Sequence, residues 1–393
     1  MILFTAEELF DGVQRKFNQA FIVSDSKIVW QGDKDSIEIK NYNIEKTINL
    51  KFAMPGLIDC HVHITKIDGQ SPYGAIEHAK ATIASIENLK ELRSEGVVAC
   101  RDLGCADSLS IGISKAQKEG YLQDFPTLIS SGAAIAATGG HGTNISYFSD
   151  GPDEVTKNCR KLILEGADVI KVMMSGGVNS PGQEPGPPEL EQEEINAAVI
   201  QAHARGRKVA VHAHGNTAIR RSVIAGVDSI EHGVFNSEDI IDMMLEKDIT
   251  LVPTLSAPYY ATIEGIRQEP DNPDHKKSKE IVDRHNKITL LAFNKGVKLC
   301  AGSDAGAPFD PYNKVSFELV LLNSIGIPVE DVLKIATYNG AELLGLNNLG
   351  QIKAGNEASF IALENSPFND INEICNKKQV WIKGVKVEGG NYE

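Results

Sequence analysis

No block of basic residues stands out in this chain of 393 residues. Its 39 lysines and arginines are outnumbered by 53 aspartates and glutamates, a net charge of −14 with a pI near 5.3. Nucleic acid is therefore not an expected partner, and the acidic balance speaks to solubility rather than to substrate. No apolar run approaches the roughly 20 residues of a membrane span. Met1 to Glu8 lacks the basic head and long apolar stretch of a secretory signal, so the expectation is a cytoplasmic protein with no membrane partner. The six cysteines (Cys60, Cys100, Cys105, Cys159, Cys300 and Cys375) lie far apart without a paired spacing. They read as reduced thiols rather than as a disulfide framework. Absent too is a Gly-x-Gly-x-x-Gly turn after the first strand of the middle region, which removes the main support for a doubly wound open sheet.

At 42% hydrophobic, the chain can bury one large core and a smaller one. Both ends are strand-rich. Phe21-Ile22-Val23 and Lys27-Ile28-Val29-Trp30 flank Ser24-Asp25-Ser26 as a hairpin; near the other end, Phe360 to Leu363, Gln379 to Ile382 and Val385 to Val387 read as short strands. Between the ends, eight apolar runs recur: Gly56–His61, Val97–Arg101, Thr127–Ser131, Val169–Met173, Val209–His212, Ser229–His232, Thr250–Pro253 and Val297–Ala301. Helix-like segments with apolar residues at three-to-four spacing separate most of them. The expected fold is α/β, a (β/α)8 TIM barrel with a small β-sandwich domain built from both termini. Residues 1–55 and 348–393 would form the small domain and residues 56–347 the barrel.

In such barrels chemistry gathers where strands end. His61 and His63, in Pro55-Gly56-Leu57-Ile58-Asp59-Cys60-His61-Val62-His63, share one face of the first strand, half of a metal site. Cys60 alternates away from them. Lys171 lies within Val169-Ile170-Lys171-Val172-Met173, where an ammonium would be costly to bury. Carbamate formation on its amine would make it an anion able to bridge two cations; the alternatives are solvent or a carboxylate partner. His212 closes the fifth strand with His214 just beyond, His232 closes the sixth, and Asp304 follows the eighth in Gly302-Ser303-Asp304-Ala305-Gly306. His78, His203, His275 and His285 sit in helices or charged loops and read as surface residues.

This ordered set resembles the amidohydrolase superfamily of metal-dependent hydrolases over nearly the whole chain, including Ala336-Thr337-Tyr338-Asn339-Gly340-Ala341-Glu342-Leu343-Leu344-Gly345 near its end. Within it, Ala137-Thr138-Gly139-Gly140-His141-Gly142 and Met174-Ser175-Gly176-Gly177-Val178-Asn179-Ser180-Pro181 are most similar to the imidazolonepropionase-related group, and there to prolidase-like (Xaa-Pro and Xaa-Arg) metallo-dipeptidases. As the resemblance implies, His61, His63 and Asp304 hold one divalent ion, and carboxylated Lys171 bridges to a second held by His212 and His232. Zinc suits these ligands, with manganese or cobalt compatible. His212 is preferred to His214 as a ligand because the family's spacing to the next histidine matches 212 to 232. His214 is expected instead to contact substrate or to support the ligands; dipeptidase relatives usually carry there a tyrosine that helps hold the substrate carboxylate. Arg220 and His141 match residues that serve the substrate carboxylate; the alternatives are a solvated helix face for Arg220 and an incidental turn residue for His141. In Glu357-Ala358-Ser359-Phe360, relatives usually have an aspartate after the alanine, where Ser359 stands.

The expected activity is hydrolysis of an amide, peptide-like bond in a small substrate, a dipeptide or N-acyl amino acid, by a hydroxide bridging the two ions. Asp304 would take its proton and pass it to the leaving nitrogen. The alternatives are a cyclic amide such as an imidazolone, or a lactone, carboxylester or phosphotriester, on the same metals. A binding protein without catalysis is the non-enzymatic alternative. Homo-oligomers are common among relatives. Asn179 to Pro188 and Pro258 to Pro273 are candidate lids or plain exposed loops.

Overall fold

Short β-branched runs bounded by turns form the inner wall of the molecule. In the computed structural model, which describes residues 1–67, 75–177, 186–268, 274–307 and 309–387, the strands Leu57–Val62, Val97–Asp102 and Thr127–Ser130 pair in parallel. The third breaks after Ser130 and resumes as Ala134–Ala136, which pairs in parallel with Val169–Met173. Lys208–Ala213, Ser229–His232 and Thr250–Val252 continue the wall in order. Their near-continuous burial is that of a parallel sheet covered on both faces. The outer ring includes the helices Ala75–Ser94, Pro152–Glu165, Gln192–His203, Asn216–Ala225, Glu238–Glu246 and Asp274–Lys295.

The eighth segment departs from expectation. Residues 297–301 form no regular strand; Leu299 makes a single bridge to Leu251, and Val62 another to Ala305. The Ala301 amide turns to the Ile335 carbonyl at 3.3 Å instead of extending a ladder. The Cys300 amide reaches the Leu251 carbonyl at 3.0 Å and the Cys60 amide the Ala301 carbonyl at 2.8 Å, so the barrel closes along a seam of isolated bonds.

The terminal strands hydrogen-bond into one seven-stranded sheet in the order Val385–Val387, Gln379–Ile382, Phe360–Leu363, Lys46–Pro55, Ile2–Phe10, Arg15–Ser24 and Lys27–Asp33. Phe4 and Trp381 lie three strands apart, roughly 14 Å in a flat sheet. Their ring centroids are 5.5 Å apart, and those of Phe21 and Phe360 4.9 Å. The sheet therefore curls until its two halves face each other across these four aromatics, as a sandwich does.

Five cysteines are buried, Cys375 is exposed, and none forms a disulfide. The stretch from Pro258, read as an insertion, is helical as part of Ser256–Gln268. Residues 179–185 and 269–273, parts of the two candidate lids, lie outside the described residues, as do Val178 to Pro181 of the second family motif.

Candidate metal centre

The carboxyl ends of the strands open into a cavity of about 540 Å³ whose lining includes His61, His63, His141, Lys171, His212, His214, His232 and Asp304. His61 and His63 reach it because strand alternation sets both on the inner face. Their Nε2 atoms approach the same Asp304 oxygen, at 3.5 Å and 3.2 Å. The His232 ring stands 5.0 Å from that of His61 and 4.7 Å from that of His212. His232, Thr254 and Asp304 all adopt left-handed backbone angles, φ 69°, 54° and 64°. Such strain in non-glycine residues gathers where geometry is dictated by function.

The tautomers of three imidazoles follow from what stands behind them. His61 Nδ1 lies 2.9 Å from Glu231 Oε2. Burial alone would raise the Glu231 carboxyl, but Arg101, His61 and Lys171 hold it down to about 2, so it accepts and the ring donates. His63 Nδ1 donates to the Gly104 carbonyl at 3.0 Å. The Thr254 hydroxyl gives its proton to the Pro253 carbonyl and must accept from His232 Nδ1 at 2.6 Å. All three Nε2 atoms are thus left with lone pairs toward the cavity, the arrangement of metal-ligating histidines. His212 Nε2 is buried with no hydrogen-bond partner, which fits a ligand position. Burial, aided by neighbouring cations, keeps the imidazoles neutral: His63 and His214 are pushed down to about 3, and His61, His212 and His232 lie below their ordinary value.

Lys171 is buried on the cavity wall and forms neither a hydrogen bond nor an ion pair among the described residues, so the carboxylate-partner alternative does not hold. Burial lowers its ammonium to about 8 against the pull of Glu231 and Asp304. Asp304 would likewise be raised by burial, and any positive charge on His61, His63 or His232 beside it pulls it well below the ordinary carboxylate range.

The structure brings together His61, His63, Lys171, His212, His232 and Asp304, and adds His214. Two sets offer ligand atoms within 4.8 Å of one another: His61, His232 and Asp304, and His212, His214 and His232. His214 stacks on His232 at 5.0 Å, so it stands as close to this centre as His212 does. His141 also lines the cavity, stacked on His212 at 4.2 Å, with its backbone amide on Glu189 at 2.8 Å. A side chain at Gly177 would strike the His141 ring at 2.3 Å, so only glycine admits it.

Arg220 is elsewhere. Its guanidinium pairs with Asp239 of the next helix, with the Met243 sulfur at 3.6 Å, and it is not among the residues that line the cavity. The helix Asn216–Ala225 turns that position outward, so the carboxylate-binding role expected of it has no support from its placement. His285 corrects a second expectation. It is buried, lines the cavity and donates from Nε2 to the His232 carbonyl at 2.9 Å. The spacing of Ile281, His285, Thr289 and Ala292, all buried on one helix face, could have found it. His78 and His203 pair with Asp107 and Asp228 on the outside. Sequence reading also missed the support under His61: Arg101 Nη2 bonds Glu231 at 2.9 Å and its Nε the Cys60 carbonyl at 2.6 Å. The only signal was an opposite charge within each of two apolar strands.

Comparison with known proteins agrees with this geometry. Residues 52–387 match the model of the Amidohydrolase family. The chain is 30% identical to ochratoxinase of Aspergillus niger, across 95% of this chain and 83% of that protein. A crystal structure of a Xaa-Pro dipeptidase with methionine in its active site superposes with a TM-score of 0.88 at 29% identity, covering 99% of this chain and 100% of the other. A prolidase complexed with N-methylphosphonate-L-proline superposes with a TM-score of 0.86 at 26% identity, covering 98% and 99%. With its barrel and its strand-end histidines, the chain belongs to the amidohydrolase family and is a hydrolase of amide bonds.

Proposed function

We propose that this hydrolase is metal-dependent and cleaves a peptide-like amide bond in a small substrate, a dipeptide or an N-acyl amino acid. One observation carries the reading: His61, His63 and His232 turn unprotonated Nε2 atoms toward one carboxylate, Asp304, beside an unpaired buried Lys171. Imidazole nitrogens with carboxylate oxygens suit zinc, with manganese or cobalt as compatible ions. His61, His63 and Asp304 would hold one cation; His212 and His232 would hold a second, with Lys171 carboxylated between them. Two such cations supply Lewis acidity and acidify water at the site.

The chain's own residues do the rest. The lowered pKa of Lys171 leaves part of its amine unprotonated near neutrality, the form that adds CO2 with loss of a proton. Asp304, held ionised, can accept a proton at its carboxylate and return it to the leaving nitrogen. His141 and His214 line the wall where a substrate oxygen would lie and can donate hydrogen bonds to it. Ile145, Met173 and Val234 supply an apolar surface for the acyl portion. The name ochratoxinase and the dipeptidase relatives agree with amide chemistry on this scaffold.

The test is a panel of N-acyl amino acids, dipeptides and cyclic amides, assayed before chelation, after it, and after zinc is returned. Loss and recovery on the linear amides is expected. Metal-replete protein that cleaves none of the panel would sink the reading.

A further inference from the structure

Among the described residues that line the cavity, Lys66 and Lys171 are the only lysines or arginines and Asp304 the only acid. Lys171 is accounted for at the metal centre; Lys66 is not. It is half-buried on the wall, three residues past His63, and its side chain forms neither a hydrogen bond nor an ion pair among the described residues. Its backbone is held in place: the amide bonds the His63 carbonyl at 3.1 Å, and its carbonyl accepts from Asn88 Nδ2 at 3.2 Å. Neighbouring acids are committed elsewhere. Asp304 lies between His61 and His63, and Asp102 accepts from the Ile64 amide and the Ser110 hydroxyl, each at 2.8 Å. The Lys66 charge is felt by His63 and by His141 across the cavity.

A cation on a low-dielectric wall whose nearest acids, Asp304 and Asp102, already serve other groups is matched to an anionic ligand. We propose that Lys66 anchors the free carboxylate of the substrate, the place expected of Arg220 but not taken by it. This rests on the amide-hydrolase reading and deepens it. Because Lys66 is near enough to Asp304 to feel its charge, the half it holds is the one carrying the leaving nitrogen. The substrates are then N-acyl amino acids or dipeptides with a free C-terminus, released as the carboxylate-bearing amine.

The experiment compares an N-acyl amino acid with its carboxamide on wild-type enzyme, Lys66→Met and Lys66→Arg, with metal content measured for each. Lys66→Met should lower the acid-to-carboxamide ratio of kcat/KM by about ten- to a hundred-fold, through KM, with metal content unchanged. Lys66→Arg should restore most of the ratio. A wild-type enzyme without preference for the acid, or a Lys66→Met ratio equal to wild type, overturns the proposal. If wild type cleaves neither compound, the hydrolytic reading is what fails. The anchor is then decided by calorimetry with phenylalanine and phenylalaninamide: selectivity for the acid lost in Lys66→Met supports it, and selectivity equal in both proteins refutes it.

Discussion

His61 owes its orientation to groups that never face the cavity. Glu231 fixes its tautomer, and Arg101 keeps Glu231 ionised. Glu231→Gln should therefore weaken metal binding about 10- to 100-fold while the fold persists, measured by metal titration against a competing chelator. Arg101→Met leaves a buried carboxylate uncompensated and should cost about 3–5 kcal/mol of stability, read from denaturant unfolding. Asp304→Asn removes the proposed proton carrier and should lower turnover by about 10²- to 10⁴-fold; turnover unchanged in the metal-loaded variant would refute the assignment. His212→Ala and His214→Ala separate two neighbours that stand equally close to His232: metal analysis should show an ion lost from the first and retained by the second. Acid tests all the imidazoles together. Their pKa values are depressed, so the neutral, ligating form persists below the ordinary value near 6.5. Metal content after dialysis should hold as pH falls from about 7 through that value, and drop only in more acidic buffer. At this scale the sequence was most legible where chemistry is rare: a histidine, lysine or aspartate at the end of an apolar strand stands out. Glu231 and His285 did not, because their roles come from partners brought near only by folding.

Strand–helix alternation was readable because the inner strands are short apolar-rich runs, interrupted chiefly by the polar residues of the site and its support, and the helices between them space apolar residues three to four apart. The helix expected from Glu154 to Glu165 begins two residues earlier, at Pro152, and the long one expected from Ser278 begins at Asp274. The eighth segment has the same apolar content as the others, but its amides go to different neighbours, a choice composition does not encode. Gly302 marks the same place. A methyl group there would meet Val252 Cγ1 at 2.6 Å and His61 Cβ at 2.9 Å. Gly302→Ala should therefore displace His61 and reduce metal occupancy more than it reduces secondary structure, seen by comparing metal analysis with circular dichroism.

Across the molecule, the curled terminal sheet leans on the barrel through a buried charge cluster. Lys378 Nζ lies 3.7 Å from Glu95 Oε2, to which the Ser316 hydroxyl also donates. No motif announced it, since lysine and glutamate are ordinary surface residues until the two units meet. The seam beside the eighth segment has a wider consequence. His61 belongs to the barrel's first strand and Asp304 follows its last segment, so the two edges joined by isolated bonds also carry partners for a shared cation. An ion there would act as a clasp on the ring, and loading the enzyme would slow the breathing of its weakest joint. Amide exchange at residues 299–305 should quicken on chelation while the strand Lys208–Ala213, laddered on both sides, stays protected.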